Sequence, residues 1–96
     1  MSVIVTLEAE VKEGCREDLV NLLRELLPET RQYRGFIDIS INFKRESNQV
    51  LFFEEWESVK NYEAYLAWRG EMGVMDRLGS LFASAPVISY FDREGV

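Results

Sequence analysis

Three kinds of side chain in this sequence are equipped for chemistry. Carboxylates crowd around Trp56 at Glu54, Glu55 and Glu57; phenols recur at Tyr33, Tyr62 and Tyr65; guanidiniums stand at Arg69, directly after Trp68, and at Arg77. A carboxyl withdrawn from water beside a cleft would serve as the base in an isomerisation or lactone-forming step. In a regular strand Glu55 points away from Glu54, so only one of the two can face a given site. An arginine can hold an oxygen anion, and rings with the thioethers of Met72 and Met75 suit a planar conjugated guest. Tyr33, Phe36, Phe52, Trp56, Tyr62, Tyr65, Trp68 and Phe82 are enough to wall a cleft. The competing reading of these rings is core packing or dimer contact, and for Arg77 it is a solvated helix surface.

Other chemistries are excluded by what is missing. The chain has no histidine and one cysteine. It therefore lacks the usual base near neutrality, a histidine triad and a histidine haem ligand. No structural zinc set is present, no carboxylates fall at EF-hand spacing, and no metal or other cofactor is expected. Cys15 has no base beside it and reads as a spectator thiol. Gly70-Glu71-Met72-Gly73 lacks the lysine of a phosphate loop. A formal charge of -6 with scattered basic residues disfavours nucleic acid. No apolar run approaches the ~20 residues that span a bilayer, and Met1-Ser2-Val3-Ile4-Val5 carries no basic flank of a secretion signal, so the expected location is the cytoplasm.

These residues must be positioned by ordinary elements. At 96 residues, 47% hydrophobic and 29% charged, the chain has the size of one domain, residues 1–96. Val3, Val5, Leu7, Ala9 and Val11 alternate with Ile4, Thr6, Glu8 and Glu10, as in a strand with one buried face. After the turn Lys12-Glu13-Gly14, Leu19, Leu22, Leu23, Leu26 and Leu27 take helical spacing, with Pro28 expected to kink or end the helix, or a last irregular turn to carry on through Thr30 to Tyr33. Gly35 opens a second strand in which Ile37, Ile39, Ile41 and Phe43 alternate with polar residues. A polar connection leads to a third strand from Gln49 to Trp56. Ser58 caps a second helix carrying Tyr62, Tyr65, Leu66 and Arg69, which Gly70 interrupts. A third helical segment runs from Glu71 to Phe82, and Val87 to Phe91 form the last strand. The order β-α-β-β-α-(α)-β predicts an α+β, ferredoxin-like, four-stranded antiparallel sheet with helices on one face. The other face would present some of Ile4, Thr6, Phe36, Leu51, Phe53, Ile88 and Tyr90. Exposed apolar patches of that kind are uncommon on monomers, so a homodimer through the open face is expected.

The opening Val3 to Leu27, Arg34-Gly35-Phe36 at a strand start, and Phe52-Phe53-Glu54-Glu55-Trp56-Glu57-Ser58 before Tyr62-Glu63-Ala64-Tyr65-Leu66 together resemble the antibiotic biosynthesis monooxygenase domain family. The likeness spans nearly the whole chain and is a pattern of sheet, tryptophan and helix, not a catalytic signature. The resemblance implies a dimeric α+β barrel made by two ferredoxin-like sheets. It also implies the family's activities: cofactor-independent oxygenation of quinols, anthrones and polyphenols, haem degradation, or processing of small metabolites. The asparagine and histidine of the haem-degrading branch match Thr6 or Leu7 and Met75 here, which excludes that branch. A histidine found after the second helix in haem-free relatives is also missing from Trp68-Arg69-Gly70-Glu71-Met72.

The resemblance thus implies a cofactor-independent monooxygenase of a small aromatic molecule. Tyr65, Trp68, Arg69 and Arg77 are its candidate catalytic residues. Thr6, Tyr33, Phe36, Phe52, Trp56, Tyr62 and Met72 are its candidate substrate contacts, with Thr6 or Tyr62 orienting an oxygen. The alternative, favoured by the missing histidine, is a non-catalytic small-molecule binding or interaction module of the same fold.

Overall fold

A computed structural model of the chain describes residues 2–96, leaving Met1 outside the described residues. Seven elements follow one another: β1 (Val3–Glu10), α1 (Arg16–Thr30), β2 (Phe36–Phe43), β3 (Gln49–Trp56), α2 (Val59–Glu71), α3 (Val74–Gly79) and β4 (Val87–Phe91). The strands form one antiparallel sheet in the order β2-β3-β1-β4. The periodicity that predicted each strand therefore carries through to a ferredoxin-like sheet with the helices against one face.

Register decides which residues meet the helices. Val5 opposes Glu54 and Tyr90, and Leu7 opposes Phe52 and Ile88. Because side chains alternate, these residues share the covered face. Leu19, Leu22, Leu23 and Leu26 of α1, with Val74 and Leu78 of α3, close over Leu7, Ala9, Val50 and Phe52 in the main core. A second cluster gathers Val3, Val5, Trp56 and Tyr62. Ser58 caps α2 as expected, its hydroxyl accepting a 3.1 Å bond from the Asn61 amide.

The structure corrects several sequence expectations. The sheet is not closed, so the dimeric α+β barrel implied by the resemblance does not describe it. β2 and β4 are the two edges of an open sheet, three strand spacings of about 4.8 Å apart, and each has one unpaired side. α1 continues past Pro28 to Thr30, as regular helix where an irregular last turn is the expected continuation. Pro28 is on the exposed side of the helix, where the Arg24 carbonyl that loses its amide partner remains within reach of water. α2 likewise passes through Gly70 to Glu71, and α3 is a separate short helix after Gly73, whose φ of 74° breaks the run. In β2 the register slips between Phe36, opposite Trp56, and Asp38, opposite Glu55. This bulge leaves Ile37 out of the alternation, 45% exposed, and turns Phe36 to the covered face. Ile88 and Tyr90 are also on the covered side. Ile4, Thr6, Leu51, Phe53 and Phe91 remain on the open face.

Candidate functional site

Glu54 has an unusual setting for a carboxylate. It stands near the end of β3 on the covered face and is only 4% exposed. Its carboxylate accepts a 2.9 Å bond from the Trp56 indole Nε1, two residues along the same face. Burial pushes its pKa from 4.5 up to about 7, against the smaller downward pull of the Trp56 donor. Tyr62, on the first turns of α2, is 1% exposed. Burial, then the negative charge of Glu54, pushes its phenol up and keeps it protonated.

Beside this pair is a cavity of about 40 Å³ between the sheet and the helices. Leu7, Phe52 and Ile39 form its floor, Leu26, Leu66 and Met75 are among its walls, and Glu54, Tyr62, Tyr65 and Arg69 supply its polar groups. The volume suits water or a diatomic gas and is far below the ~300 Å³ of a pocket for a drug-sized ligand.

Arg69 reaches the cavity fully buried, but its donors are occupied. Its Nε donates to the Tyr65 hydroxyl at 3.1 Å, and one terminal nitrogen donates to the Leu26 carbonyl at 2.7 Å and to Thr30 Oγ1 at 3.0 Å. The other terminal nitrogen pairs with Glu29 at 3.5 Å and points at the Met72 sulfur at 4.0 Å. The guanidinium thus ties α2 to the carbonyl end of α1, where such orphan acceptors need donors. It fixes Tyr65, whose hydroxyl also meets Thr30 Oγ1 at 2.6 Å. Thr30 itself escaped the sequence reading. It continues the spacing of Leu23 and Leu26 past Pro28, a signal obscured because the turn after the proline is expected to be irregular.

The remaining candidates divide into three groups. Trp56, Tyr33, Phe36 and Trp68 pack ring against ring with Tyr62 and Tyr65, at centroid distances of 5.0 Å for Trp56–Tyr65, 5.1 Å for Tyr33–Trp68 and 5.5 Å for both Phe36–Trp56 and Trp56–Tyr62. These rings back the cavity; of the eight rings in the sequence set, Phe52, Tyr62 and Tyr65 line it. Met72 is 48% exposed beside Arg69. Two candidates fall elsewhere. Thr6 is on the opposite face of the sheet, across from Phe53 and Ser89, because its even position in β1 takes it there. Arg77 is on α3 in an exposed 3.1 Å ion pair with Glu25. Among the described residues no group of three or more His, Cys, Asp or Glu side chains is arranged to hold a metal ion, and no helix is long and apolar enough to cross a membrane.

Solved structures resemble this fold closely at low sequence identity. A conserved protein from Methanosarcina mazei superposes with a TM-score of 0.87 at 18% identity, covering 98% of this chain and 94% of that one. A protein from Mycobacterium tuberculosis gives 0.82 at 16%, covering 100% and 98%. A Streptomyces coelicolor monooxygenase in complex with the ligand Nanaomycin D gives 0.81 at 18%, covering 99% and 89%. At such identities the likeness concerns the fold. Comparison with curated protein sequences found no match. The model of one sequence family, antibiotic biosynthesis monooxygenase, matches residues 2–71, from β1 through the end of α2 and hence Glu54, Trp56, Tyr62, Tyr65 and Arg69. By that match the chain belongs to the antibiotic biosynthesis monooxygenase family.

Proposed function

We propose that the protein is a cofactor-independent monooxygenase of a small phenol, quinol or anthrone, with Glu54 as the base that starts the reaction. One observation carries this reading: a carboxyl only 4% exposed borders an apolar cavity beside two phenols, and that burial pushes its pKa up to about 7. A base poised near the working pH combines a useful ionised fraction with real proton affinity. Glu54 takes the acidic proton of the substrate, and the resulting anion passes one electron to O₂. The radical and superoxide recombine to form a C–O bond. Loss of water from the hydroperoxide, with the proton returned by Glu54, leaves a carbonyl. For an anthrone the balance is one CH₂ and one O₂ giving one C=O and one H₂O.

In this reading Tyr62 and Tyr65 contact the substrate oxygens. Arg69 acts by holding Tyr65, and Trp68, Tyr33 and Trp56 stiffen the wall behind it. Phe52 is the floor. The substrate ring gains room by displacing Met75 and Leu66, half-buried walls of the cavity, of which the thioether chain is the more pliable. Thr6 and Arg77 have no part in the step. We also propose that a second copy covers the open sheet face, where Phe53 and Phe91 are 45% and 52% exposed beside Ile4 and Leu51.

The test is oxygen uptake with a panel of quinols and anthrones, comparing the wild type with Glu54→Gln and Tyr62→Phe. Turnover that follows an ionisation near pH 7 and falls about a hundredfold or more in Glu54→Gln is the expected result. Protein that neither consumes O₂ nor binds any of the panel defeats the reading. That outcome favours the non-catalytic binding module, to which the tight ring packing and the small cavity lend support.

A further inference from the structure

A second concave feature lies on the outer side of α1, and its chemistry differs from that of the buried cavity. It is a groove of about 320 Å³ between α1 and the edge strand β2. Its apolar lining includes Val20 and Leu27 of α1 with Ile41 and Phe43 of β2, all half-buried. Its rim is basic. Arg16, Arg24 and Arg31 all border it, all exposed.

Helical spacing explains the alignment. Residues 16, 20, 24, 27 and 31 fall on one stripe of a 3.6-residue helix, so one face of α1 alternates arginine with aliphatic side chains. Most of the helix's carboxylates (Asp18, Glu25 and Glu29) fall on the opposite side. Glu17 alone borders the stripe, next to Arg16 and Arg24. The ion pairs among the described residues use Arg69, Arg77 and Arg93 and none of the three rim arginines. The Arg16 guanidinium instead lies over the Phe43 ring, 4.0 Å from its centroid, where it covers the apolar floor. On a chain of net charge -6, three guanidiniums around one apolar groove form a local positive site on a negative surface.

We propose that this groove binds a soluble amphiphilic anion: a single alkyl chain or ring system ending in one carboxylate. The apolar part lies along Val20, Leu27, Ile41 and Phe43, and the carboxylate is held by Arg24 and Arg31, whose planar forks match carboxylate geometry. The volume is within the range of ligand pockets, and the rim charge complements the head group. The site is distinct from the Glu54 cavity, although Leu23 and Leu27 form walls of both.

Dodecanoate, below its micelle concentration, is the probe. It is titrated into the full chain by calorimetry and by amide chemical-shift mapping, with dodecanol as the uncharged control. Saturable binding is expected, with shifts centred on Val20, Leu27, Ile41 and Phe43. Dodecanol should bind at least about tenfold more weakly, and Arg24→Glu/Arg31→Glu should weaken dodecanoate by about tenfold or more. Phe43→Ala should weaken both ligands. If the charge-reversed protein fails to match the wild-type circular dichroism, Arg24→Gln/Arg31→Gln carries the same test. Equal affinity for dodecanoate and dodecanol, unaltered affinity in the arginine variants, or shifts centred on Phe53 or Tyr62 would overturn the proposal. So would binding to anionic phosphatidylglycerol vesicles without binding of free dodecanoate, which would make the basic stripe a lipid-surface contact.

Discussion

Replacing Glu54 by glutamine should make the protein more stable, and only above mildly acidic pH. The side chain keeps its shape, and its amide oxygen can still accept the 2.9 Å bond from the Trp56 indole, so the main change is loss of an ionisable proton. In the unfolded chain the Glu54 carboxyl ionises near 4.5, and in the folded protein near 7. Between these values the unfolded state releases the proton while the native state holds it. Stability therefore falls as pH rises through this window, and is flat with respect to this group above and below it. At about 1.4 kcal/mol for each pH unit, the wild type carries a penalty of about 3 kcal/mol above pH 7 that is absent below pH 4.5. Urea denaturation of both proteins, followed by tryptophan fluorescence near pH 5 and near pH 8, isolates the effect, because every other titrating group cancels in the difference. The glutamine variant should gain at least about 2 kcal/mol over the wild type between the two conditions. A difference between the proteins that does not change with pH would refute the reasoning, since it would mean that Glu54 ionises in the native state as it does in water.

Four further outcomes follow from the same geometry. Trp56→Phe removes the donor that pulls Glu54 downward, so the carboxyl carbon of Glu54, followed by carbon NMR, should titrate at higher pH than in the wild type. Arg69→Met strands the Leu26 carbonyl and leaves Thr30 and Tyr65 without their shared donor. Chemical denaturation should show a loss of about 3 kcal/mol, and Arg69→Lys, with fewer donors in a different geometry, should recover only part of it. Gly35→Ala combines a φ of 89° with a Cβ that would sit 2.5 Å from the Asn61 Cγ. A thermal melt should show destabilisation of about 2 kcal/mol or more. Phe53→Lys places a charge in the middle of the open sheet face, and sedimentation should show dissociation of the proposed dimer with the monomer fold intact.

The order of elements was legible in the sequence because period two and period 3.6 are local properties. Val3 to Val11, Leu19 to Leu27, Gln49 to Trp56 and Val87 to Phe91 each announce an element through their own spacing. The same spacing gave the opposed directions of Glu54 and Glu55, and the composition excluded histidine chemistry outright. What an alternating strand cannot state is which of its two faces the helices cover, or which strands lie beside it. Those depend on pairings between residues some fifty positions apart, such as Thr6 with Phe53. Spacing alone therefore groups Thr6 with rings that lie on the other side of the sheet, and the bulge at Ile37 turns Phe36 in the opposite sense. Proline and glycine are weak local punctuation in this chain. Pro28 stays within α1, where the Arg24 carbonyl it leaves without a partner is within reach of water, and Gly70 stays within α2. Arg69 illustrates the limit most directly. Its sequence neighbours allowed an anion clamp, whereas the fold surrounds it with Leu26, Thr30, Glu29 and Tyr65, acceptors supplied by another helix and by its own. The sequence decided where charges and rings occur along the chain; only tertiary packing decided which of them lose water, and loss of water is what raises the pKa of Glu54.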